Sequence, residues 1–303
     1  MHSNGHIGHH VFKNKNNKVL LIAITLERCV HMPELPEIET VRLHLEKHVV
    51  GKLIQDVVVN RPKTLNVSIE EFTEALNQQS FLKAQRRGKV IRLRLPDDRS
   101  LLFHFMIDGY LRFFLPAEPI PDGANVMILF ASGERLAFYR MHLGFIHLFS
   151  DETVMSHPDY TELGPEPLER QFSSAHFQQM LKGRRGMLKP LLMDQKFIAG
   201  IGNVYSNEIL FCSRILPVRK SSTLHESEIE RLYQCIRSTL QTALQQGGVS
   251  EYPFMTGDKY TGGYTNQLQV YERTGQPCFS CGRAIETAKV GGRNAFFCSN
   301  CQH

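Results

Sequence analysis

The sequence predicts an α+β protein in which an N-terminal antiparallel β-sandwich precedes a helical domain and a C-terminal four-cysteine finger. Three observations support this class. Short β-rich segments separated by turn signals fill much of the first half, and helical periodicity dominates the second half. Four of the seven cysteines lie between Cys278 and Cys301. Runs of strands followed by runs of helices are typical of α+β chains.

The size and charge of the chain limit its function class. At 303 residues it can form two domains with separate cores, and its net charge of +5 permits a polyanionic partner without requiring one. The best apolar run, Val19–Thr25, is much shorter than the roughly 18 residues that cross a bilayer. Its short core and the "LERC" that follows do not favour a cleaved signal peptide. We therefore expect a cytoplasmic protein with no membrane association.

Residues 1–31 are rich in Asn, His and Lys and then carry the short apolar run, with no clear periodicity. A segment of this composition cannot build a core of its own, so we expect an extension that is disordered or absent from the mature protein.

The first helix is predicted from Pro36, where Ile38, Val41, Leu45 and Val49 follow at helical spacing. Proline suits a first helical turn, and the "G" that follows Val49 and Val50 suits the stop. Carboxylates in the first turn also favour the positive end of the helix dipole.

The β-rich sequence that follows predicts the sandwich, and we place this domain at 32–155. In "VIRLRL", Ile91, Leu93 and Leu95 alternate with Arg92 and Arg94, which predicts one buried face and one wet, cationic face. Turn signals such as "PDD" and "SGE" separate the strands, as antiparallel pairing requires.

The second half divides into three parts. We assign 156–168, which is rich in proline, to a linker, 169–265 to a helical domain and 266–303 to the finger. Within the helical domain, Thr223 and the glutamate three residues later predict a capping box for a long amphipathic helix. The glycine pair in "QQGG" predicts where that helix ends.

The cysteine spacing C-x2-C-x16-C-x2-C predicts one structural Zn²⁺. Four thiolates leave no open coordination position, so this metal should fold the segment rather than catalyse. The ligands are Cys278, Cys281, Cys298 and Cys301. Cysteine pairs of this kind indicate metal binding in a reducing compartment rather than a disulfide framework, and the other three cysteines are scattered.

Three weaker motifs leave alternatives open. Gly200 and Gly202 precede a helix, and their free amides with Asn203 either bind phosphate or form a tight turn between packed helices. The "QRRGKV" turn is either solvated or in contact with phosphates. Arg293, near the tip of a hairpin in the finger, would by itself be a solvated charge.

These motifs also occur together and in order. "MPELPE" at a helix start, "RRGK", "LGPEPL", "GIGNVY", "QLQVYERTGQPC" and the four-cysteine finger resemble the formamidopyrimidine-DNA glycosylase and endonuclease VIII family over residues 32–303. The resemblance implies a β-sandwich, a helix–two-turn–helix domain and a zinc finger, with double-stranded DNA in the cleft between the domains. It also implies a monomer that excises oxidised bases and cuts the strand at the resulting abasic site.

The resemblance assigns the catalytic roles. Pro33, exposed as an N-terminal amine after removal of an initiator Met32, is the nucleophile, Glu34 is the acid–base residue and Glu37 helps to order the site. Lys89 contacts the phosphate beside the lesion. An α-amine has a pKa of about 7.7 to 8.0, so a useful fraction is uncharged and nucleophilic near neutral pH.

The resemblance also assigns DNA contacts, and the sequence departs from the family there. "HFMIDG" places Ile107 where the purine-specific branch has a methionine, and "YRMHLG" places Met141, His142 and Leu143 where that branch has arginine and phenylalanine. Apolar residues are still present at the positions whose side chains would insert as a wedge into the base stack. The arginine that reads the opposite cytosine has no counterpart. The DNA-binding residues that we assign are Arg87, Ile107, His142, Leu143, Asn203 and Arg293.

The leading hypothesis is therefore a bifunctional DNA glycosylase and abasic-site lyase acting on oxidised purines. A non-catalytic relative that binds damaged DNA is the alternative, favoured by the altered wedge and by the extension, which would make the nitrogen of Pro33 an amide. A zinc-ribbon nucleic-acid adaptor would explain the finger but not "MPELPE".

Overall fold

The computed structural model describes residues 8–13, 19–24 and 32–303, and the chain divides into two units, Met1–His31 and Met32–His303. In the first unit, β1 (Gly8–Lys13) pairs antiparallel with β2 (Val19–Ile24). That residues 1–31 are a disordered extension, or absent from the mature protein, stays a prediction. The prediction for residues 1–7, 14–18 and 25–31 lies outside the described residues. Within the described residues, no helix has the length and apolarity needed to cross a membrane.

The predicted first helix is confirmed as α1 (Leu35–His48). Its N-cap is Glu34, whose backbone N–H donates to Glu37 Oε2 at 2.8 Å in a capping box. A capping box satisfies two amides that a helix start otherwise leaves without partners, so the sequence fixes the first turn of α1 strongly.

Two four-stranded antiparallel sheets confirm the predicted sandwich, with strand orders β10-β6-β5-β4 and β3-β8-β9-β7. Phe103 and Phe138, one from each sheet, meet in the core with ring centroids 5.2 Å apart. The strands are β3 (Ile54–Val59), β4 (Lys83–Arg87), β5 (Val90–Arg94), β6 (Arg99–His104), β7 (Tyr110–Phe114), β8 (Ala124–Phe130), β9 (Arg135–Tyr139) and β10 (Phe145–Ser150). The helices of this half are α2 (Ile69–Leu76), α3 (Asp151–Ser156) and α4 (Pro158–Thr161).

The prediction that the second face of β5 is wet is wrong at Arg92, which is buried. Its guanidinium pairs with Asp151 at 2.7 Å, and its Nε donates to Ser100 Oγ at 2.8 Å. Helix α3 begins at Asp151, and its Val154 packs on this face. A buried charge needs such partners, and the sequence of β5 alone does not reveal them.

The segment that we expected to be a linker packs tightly. Its Glu166 is buried, accepts a hydrogen bond from the backbone N–H of Gly88 at 2.6 Å and pairs with Arg86 at 2.7 Å. The β4–β5 turn is therefore bound to this segment. Residues 32–303 form one compact unit, so the domain boundaries stay predictions.

The second half contains α5 (Ser174–Leu181), α6 (Leu188–Met193), α7 (Asn203–Cys212) and α8 (Glu226–Gln245). The long predicted helix is α8, but its capping box joins His225 to Glu228, so the prediction of Thr223 as the cap is wrong. The Thr223 hydroxyl instead donates to the Lys220 carbonyl at 2.8 Å within a short 3-10 turn.

Two cysteines that the sequence analysis treats as scattered form a disulfide. Cys212, at the end of α7, is bonded to Cys235 of α8, with Cα atoms 5.8 Å apart. The sequence analysis, which reads the cysteine pairs of the finger as metal ligands rather than a disulfide framework, does not predict this bond. Their separation of 23 residues carries no motif, because the packing of the two helices brings them together.

The finger is a hairpin of β11 (Glu286–Val290) and β12 (Arg293–Phe297) flanked by the four cysteines. It packs against α7, where the backbone N–H of Phe296 donates to Asn207 Oδ1 at 2.9 Å. The second core therefore includes parts of the helices and of the finger, among them Tyr205, Ile236 and Phe296.

Candidate active site and nucleic-acid interface

The start of α1 meets the start of α7 through one carboxylate. Glu34 is buried, and its side-chain oxygens accept hydrogen bonds from the backbone N–H groups of Gly202 at 2.5 Å, Val204 at 2.7 Å and Tyr205 at 3.3 Å. A carboxylate at a helix N-terminus satisfies the amides left free there and interacts favourably with the dipole. Of the two readings left open for this glycine turn, phosphate binding by these amides is not what the structure shows, because Glu34 occupies them.

Glycine is needed at position 202 because Glu34 and Lys89 both lie close to it. A Cβ atom at this position would lie 2.6 Å from Glu34 Cδ and 2.6 Å from Lys89 Nζ. Lys89 is buried, and this burial lowers the pKa of its amine while Glu34 and Glu37 oppose the shift. The catalytic lysine and glutamate assigned from the resemblance are thus brought together.

Glu37 joins three parts of the chain. Its Oε1 accepts hydrogen bonds from the Tyr205 hydroxyl at 2.5 Å and from the Val249 backbone N–H at 2.6 Å, while Oε2 holds the amide of Glu34. Burial, followed by the nearby Glu34, raises the pKa of Glu37 from 4.5 to about 7. A buried carboxyl with a strongly shifted pKa is typical of a functional site.

Pro33 is half-buried and directly precedes Glu34. The residue before it, Met32, lines a cleft of about 420 Å³ together with Lys89 and His104. Burial, with a smaller effect of Lys89, lowers the pKa of His104 to about 4. The residue that precedes the predicted nucleophile therefore lines a cleft that also contains the predicted phosphate-binding lysine.

Asn203 and Arg293 lie around a lysine that the sequence analysis missed. Lys189 is fully buried, and its Nζ donates to Asn203 Oδ1 at 2.5 Å and to Ser206 Oγ at 3.3 Å. Burial, with a further effect of Arg293, lowers the pKa of Lys189 to about 8. The sequence feature that could have revealed this lysine is a single cation inside the otherwise apolar helix "LKPLLM".

The finger reaches this group through its turn. A Cβ atom on Gly291, at φ +59°, would lie 2.5 Å from Pro190 Cγ, so the hairpin tip rests on α6 next to Lys189. Arg293 is exposed at the start of β12. The structure thus places two of the assigned DNA-binding residues beside one buried amine.

Arg87 does not join this group. Its Nη2 donates to the carbonyl oxygens of Leu163 and Gly164, each at 2.8 Å, and its Nη1 lies 3.3 Å from Glu166. These contacts bind the guanidinium to the segment after α4, and they do not support the assignment of Arg87 to DNA binding.

The assigned wedge residues lie on two adjoining turns, residues 105–109 and residues 140–144. Ile107 on the first turn is 41% exposed, and Leu143 on the second is 62% exposed, beside an exposed His142. The turns are joined by Asp108 and Arg140, whose side chains pair at 2.7 Å. The side chains of Ile107 and Leu143, which we call the apolar tips, and the imidazole of His142 are therefore exposed to solvent on neighbouring turns.

Met141, between Arg140 and His142, is fully buried. Its side chain packs under both turns, because Cβ atoms on Gly109 and Gly144 would lie 3.1 and 2.9 Å from its Sδ and Cε. Met141 therefore supports the turns from below and does not reach the exposed tips.

The four predicted zinc ligands converge, with all ligand atoms within 4.8 Å of one another. Cys281 and Cys298 Sγ lie 3.4 Å apart, and Cys278 and Cys301 Sγ lie 3.9 Å apart. A tetrahedron with Zn–S bonds of about 2.3 Å has S–S edges of about 3.8 Å, so the thiols fit a four-thiolate zinc site. Such a site is closed to substrate and structural.

Three family models match the chain. They describe the formamidopyrimidine-DNA glycosylase N-terminal domain (32–142), the formamidopyrimidine-DNA glycosylase H2TH domain (163–252) and a zinc finger found in FPG and IleRS (275–303). A formamidopyrimidine-DNA glycosylase of Pelotomaculum thermopropionicum is 38% identical over 273 residues, covering 89% of this chain and 99% of that protein. The Heliobacterium modesticaldum enzyme of that name is 37% identical over 276 residues, covering 89% and 100%.

Solved structures that resemble this chain point to the same family. Lactococcus lactis Fpg (MutM) in complex with DNA that contains N7-benzyl-Fapy-dG has a TM-score of 0.82 at 33% identity, covering 89% of this chain and 99% of that chain. The same protein with DNA that contains an abasic site also has a TM-score of 0.82, at 32% identity and the same coverage. The fold and the finger thus define a DNA repair glycosylase. The chain belongs to the formamidopyrimidine-DNA glycosylase family.

Proposed function

We propose that this protein is a bifunctional DNA glycosylase and abasic-site lyase that excises oxidised purines, such as 8-oxoguanine and formamidopyrimidines, from double-stranded DNA. The observation that carries this proposal is the buried group of Glu34, Glu37 and Lys89 next to Pro33, in which Glu34 is held by the amides of α7. The relatives named for formamidopyrimidine excision support the substrate class.

The reaction begins with the secondary amine of Pro33. Its lone pair attacks C1′ of the damaged nucleotide, the bond from C1′ to the base breaks, and the base leaves with a proton from a neighbouring acid. The nitrogen then gives up its N–H proton, the C1′–O4′ bond breaks as O4′ takes up a proton, and the iminium ion that results has no N–H left to lose. This fixed positive charge draws electrons as the 3′ and then the 5′ phosphate are eliminated.

Glu34, Glu37 and Lys89 would supply proton transfer, positioning and phosphate binding, respectively. Glu34 is fixed by three amides beside Pro33, where it can move protons of the opening sugar. Glu37 positions the Pro33–Glu34 peptide by accepting the Glu34 N–H. Lys89, whose amine lies close to Gly202 and Glu34, binds the phosphate beside the lesion.

The same chemistry requires a free Pro33. A proline nitrogen inside a peptide bond is an amide whose lone pair is delocalised, so it is not nucleophilic. The active protein therefore lacks residues 1–32, most simply through translation from Met32 and removal of that methionine, with proteolysis as the other route. The N-terminal family model also begins at residue 32.

A non-catalytic damaged-DNA-binding relative is the second candidate, favoured by the altered wedge at Met141, His142 and Leu143 and by the extension before Pro33. The buried Glu34, Glu37 and Lys89 argue against it. Burying ionisable groups costs several kcal/mol per ion before pairing is counted, and a protein that only binds DNA gains nothing from that cost.

We further propose that the enzyme acts as a monomer in the cytoplasm.

The test compares two forms of the protein on duplexes with 8-oxoguanine, a formamidopyrimidine or an oxidised pyrimidine. One form is expressed from Met32 and shown by mass spectrometry to begin at Pro33, and the other retains Met1. We expect strand cleavage at the oxidised purines by the first form alone. Intact duplexes with a form that begins at Pro33, binds the lesion DNA and contains zinc would favour the non-catalytic candidate. Cleavage by a form shown to retain residues 1–32 would refute the requirement for a free Pro33.

A further inference from the structure

The two turns that present Ile107 and Leu143 have unusual backbones at their base. Asp108, next to Ile107, has φ +65°, and Arg140, at the start of the other turn, has φ +54°. Both values lie in the left-handed region, which is unfavourable for residues other than glycine. Such conformations persist only where surrounding contacts hold them, so the contacts of Asp108 and Arg140 determine the shape of both turns.

Those contacts include a residue from the distant half of the chain. Arg140 Nη1 donates to Asp108 Oδ2 at 2.7 Å and to the hydroxyl oxygen of Tyr252 at 2.8 Å. The Tyr252 hydroxyl in turn donates to Asp108 Oδ1 at 3.3 Å. We call these three residues the clasp. The ring of Tyr252 stacks on Tyr110 with centroids 3.9 Å apart and planes 4° apart, so its position is well defined.

The segment that carries Tyr252 is anchored at both ends. On one side, the Val249 N–H donates to Glu37, and Gly248 passes so close that a Cβ atom there would lie 2.3 Å from Glu37 Oε1. On the other side, the Phe254 carbonyl accepts from the Phe113 N–H at 2.7 Å. Residues 248–254 therefore connect the carboxylate beside Glu34 to the turns that carry the apolar tips.

We propose that Tyr252 is a positioning residue. Through the clasp it holds Ile107 and Leu143 at a fixed separation for insertion into the base stack, and it ties their placement to Glu37. A displaced tip cannot fill the gap that an extruded base leaves, so insertion should depend on the hydroxyl of Tyr252 and not merely on its ring. This inference rests on the proposed function only in requiring that the protein binds damaged duplex DNA.

The test measures insertion without catalysis. The DNA carries a tetrahydrofuran abasic analogue, which lacks the C1′ hydroxyl and cannot form the iminium ion, with 2-aminopurine on the opposite strand to report unstacking in a stopped-flow experiment. Tyr252→Phe keeps the ring that stacks on Tyr110 and removes the hydroxyl. We expect the fluorescence rise to slow by about tenfold, the scale of losing a hydrogen bond to a charged group, at an unchanged melting temperature.

Tyr139→Phe is the matched control. Tyr139 stacks on the same Tyr110 with centroids 5.1 Å apart, and its hydroxyl donates to the Pro121 carbonyl at 3.1 Å, outside the clasp. This variant should insert its tips at the wild-type rate. Asp108→Asn removes the charge that holds Arg140 and should resemble Tyr252→Phe.

A second readout separates positioning from general damage. Tyr252→Phe should slow excision from an oxidised-base duplex, while its affinity for undamaged duplex DNA, which depends on phosphate contacts rather than on the tips, should stay at the wild-type value. A wild-type rate of insertion in Tyr252→Phe, equal slowing in Tyr139→Phe, or no fluorescence rise in the wild type would overturn the inference. Insertion by a wild type that cleaves no DNA would refute the proposed function and leave the clasp standing.

Discussion

The carboxylate of Glu34 accepts a hydrogen bond at 2.5 Å from the backbone N–H of Gly202, which lies 168 residues further along the chain. The residue beside the proposed nucleophile is therefore oriented by the helical half and not by the sandwich that contains it. Because the positive end of α7 holds this carboxylate, the active site exists only when the two halves are packed together.

Replacing Gly202 with alanine should strongly reduce activity while preserving the fold. The added Cβ would lie 2.6 Å from both Glu34 Cδ and Lys89 Nζ, so one of these two proposed catalytic groups must move. We expect excision to fall by about a hundredfold, the scale of a misplacement near 1 Å, with circular dichroism unchanged. Gly186→Ala is the control, because a Cβ atom there meets nothing within 4 Å. Wild-type activity of Gly202→Ala would contradict the geometry.

The raised pKa of Glu37 predicts a pH-dependent stability. Between its ordinary value of 4.5 and about 7, the folded protein binds a proton that the unfolded chain has lost, so the free energy of unfolding should fall as pH rises through this window. Across this window the coupled Glu34–Glu37 pair would lower the free energy of unfolding by about 3 kcal/mol at most. Urea unfolding at several pH values should show a flatter dependence for Glu37→Gln than for the wild type. Parallel curves for the two proteins would show that Glu37 does not titrate in this range.

Removal of zinc should weaken DNA binding. Without the metal the four thiols no longer hold the hairpin, and Arg293 is lost from the group around Lys189. The affinity for a tetrahydrofuran duplex should fall by about tenfold or more, with a smaller dependence on salt because fewer phosphate contacts remain. Chelation followed by restoration with Zn²⁺ tests this in fluorescence anisotropy. Equal affinity of the zinc-free protein would mean that the finger does not touch DNA.

Lys189 predicts a second pH effect, on binding. Burial lowers the pKa of its amine to about 8, so the positive charge next to Asn203 is present below this pH and is lost above it. DNA affinity should therefore decrease as pH rises from 7 to 9 by more than it does in Lys189→Met. The exposed Lys182→Met should behave as the wild type does. If Lys189→Met and the wild type lose affinity in parallel, the amine does not contribute to the interface.

Local patterns predicted the elements and the motifs well. Proline and glutamate at the start of α1, the short β-rich segments between turn signals and the cysteine spacing each depend on neighbours in the chain, and the structure confirms all three predictions. The structure also brings Glu34, Glu37 and Lys89 together, as the family resemblance implies.

Long-range partners could not be predicted. The burial of Arg92, the pairing of Cys212 with Cys235 and the position of Lys189 depend on packing between elements far apart in sequence. The free amides of the glycine turn are a similar case, because their partner Glu34 lies in the other half of the chain. Periodicity indicates which face of a helix or strand is apolar. It does not indicate which distant group will pair with a buried polar or charged side chain.

The most direct test of this account is borohydride trapping with abasic-site DNA, followed by peptide mapping of the adduct. The protein expressed from Met32 and processed to Pro33 should form a covalent complex in which DNA is attached to the nitrogen of Pro33. The chain that retains residues 1–32 should form none. An adduct on a lysine, or no adduct from a zinc-containing protein that begins at Pro33 and binds the DNA, would contradict the central claim.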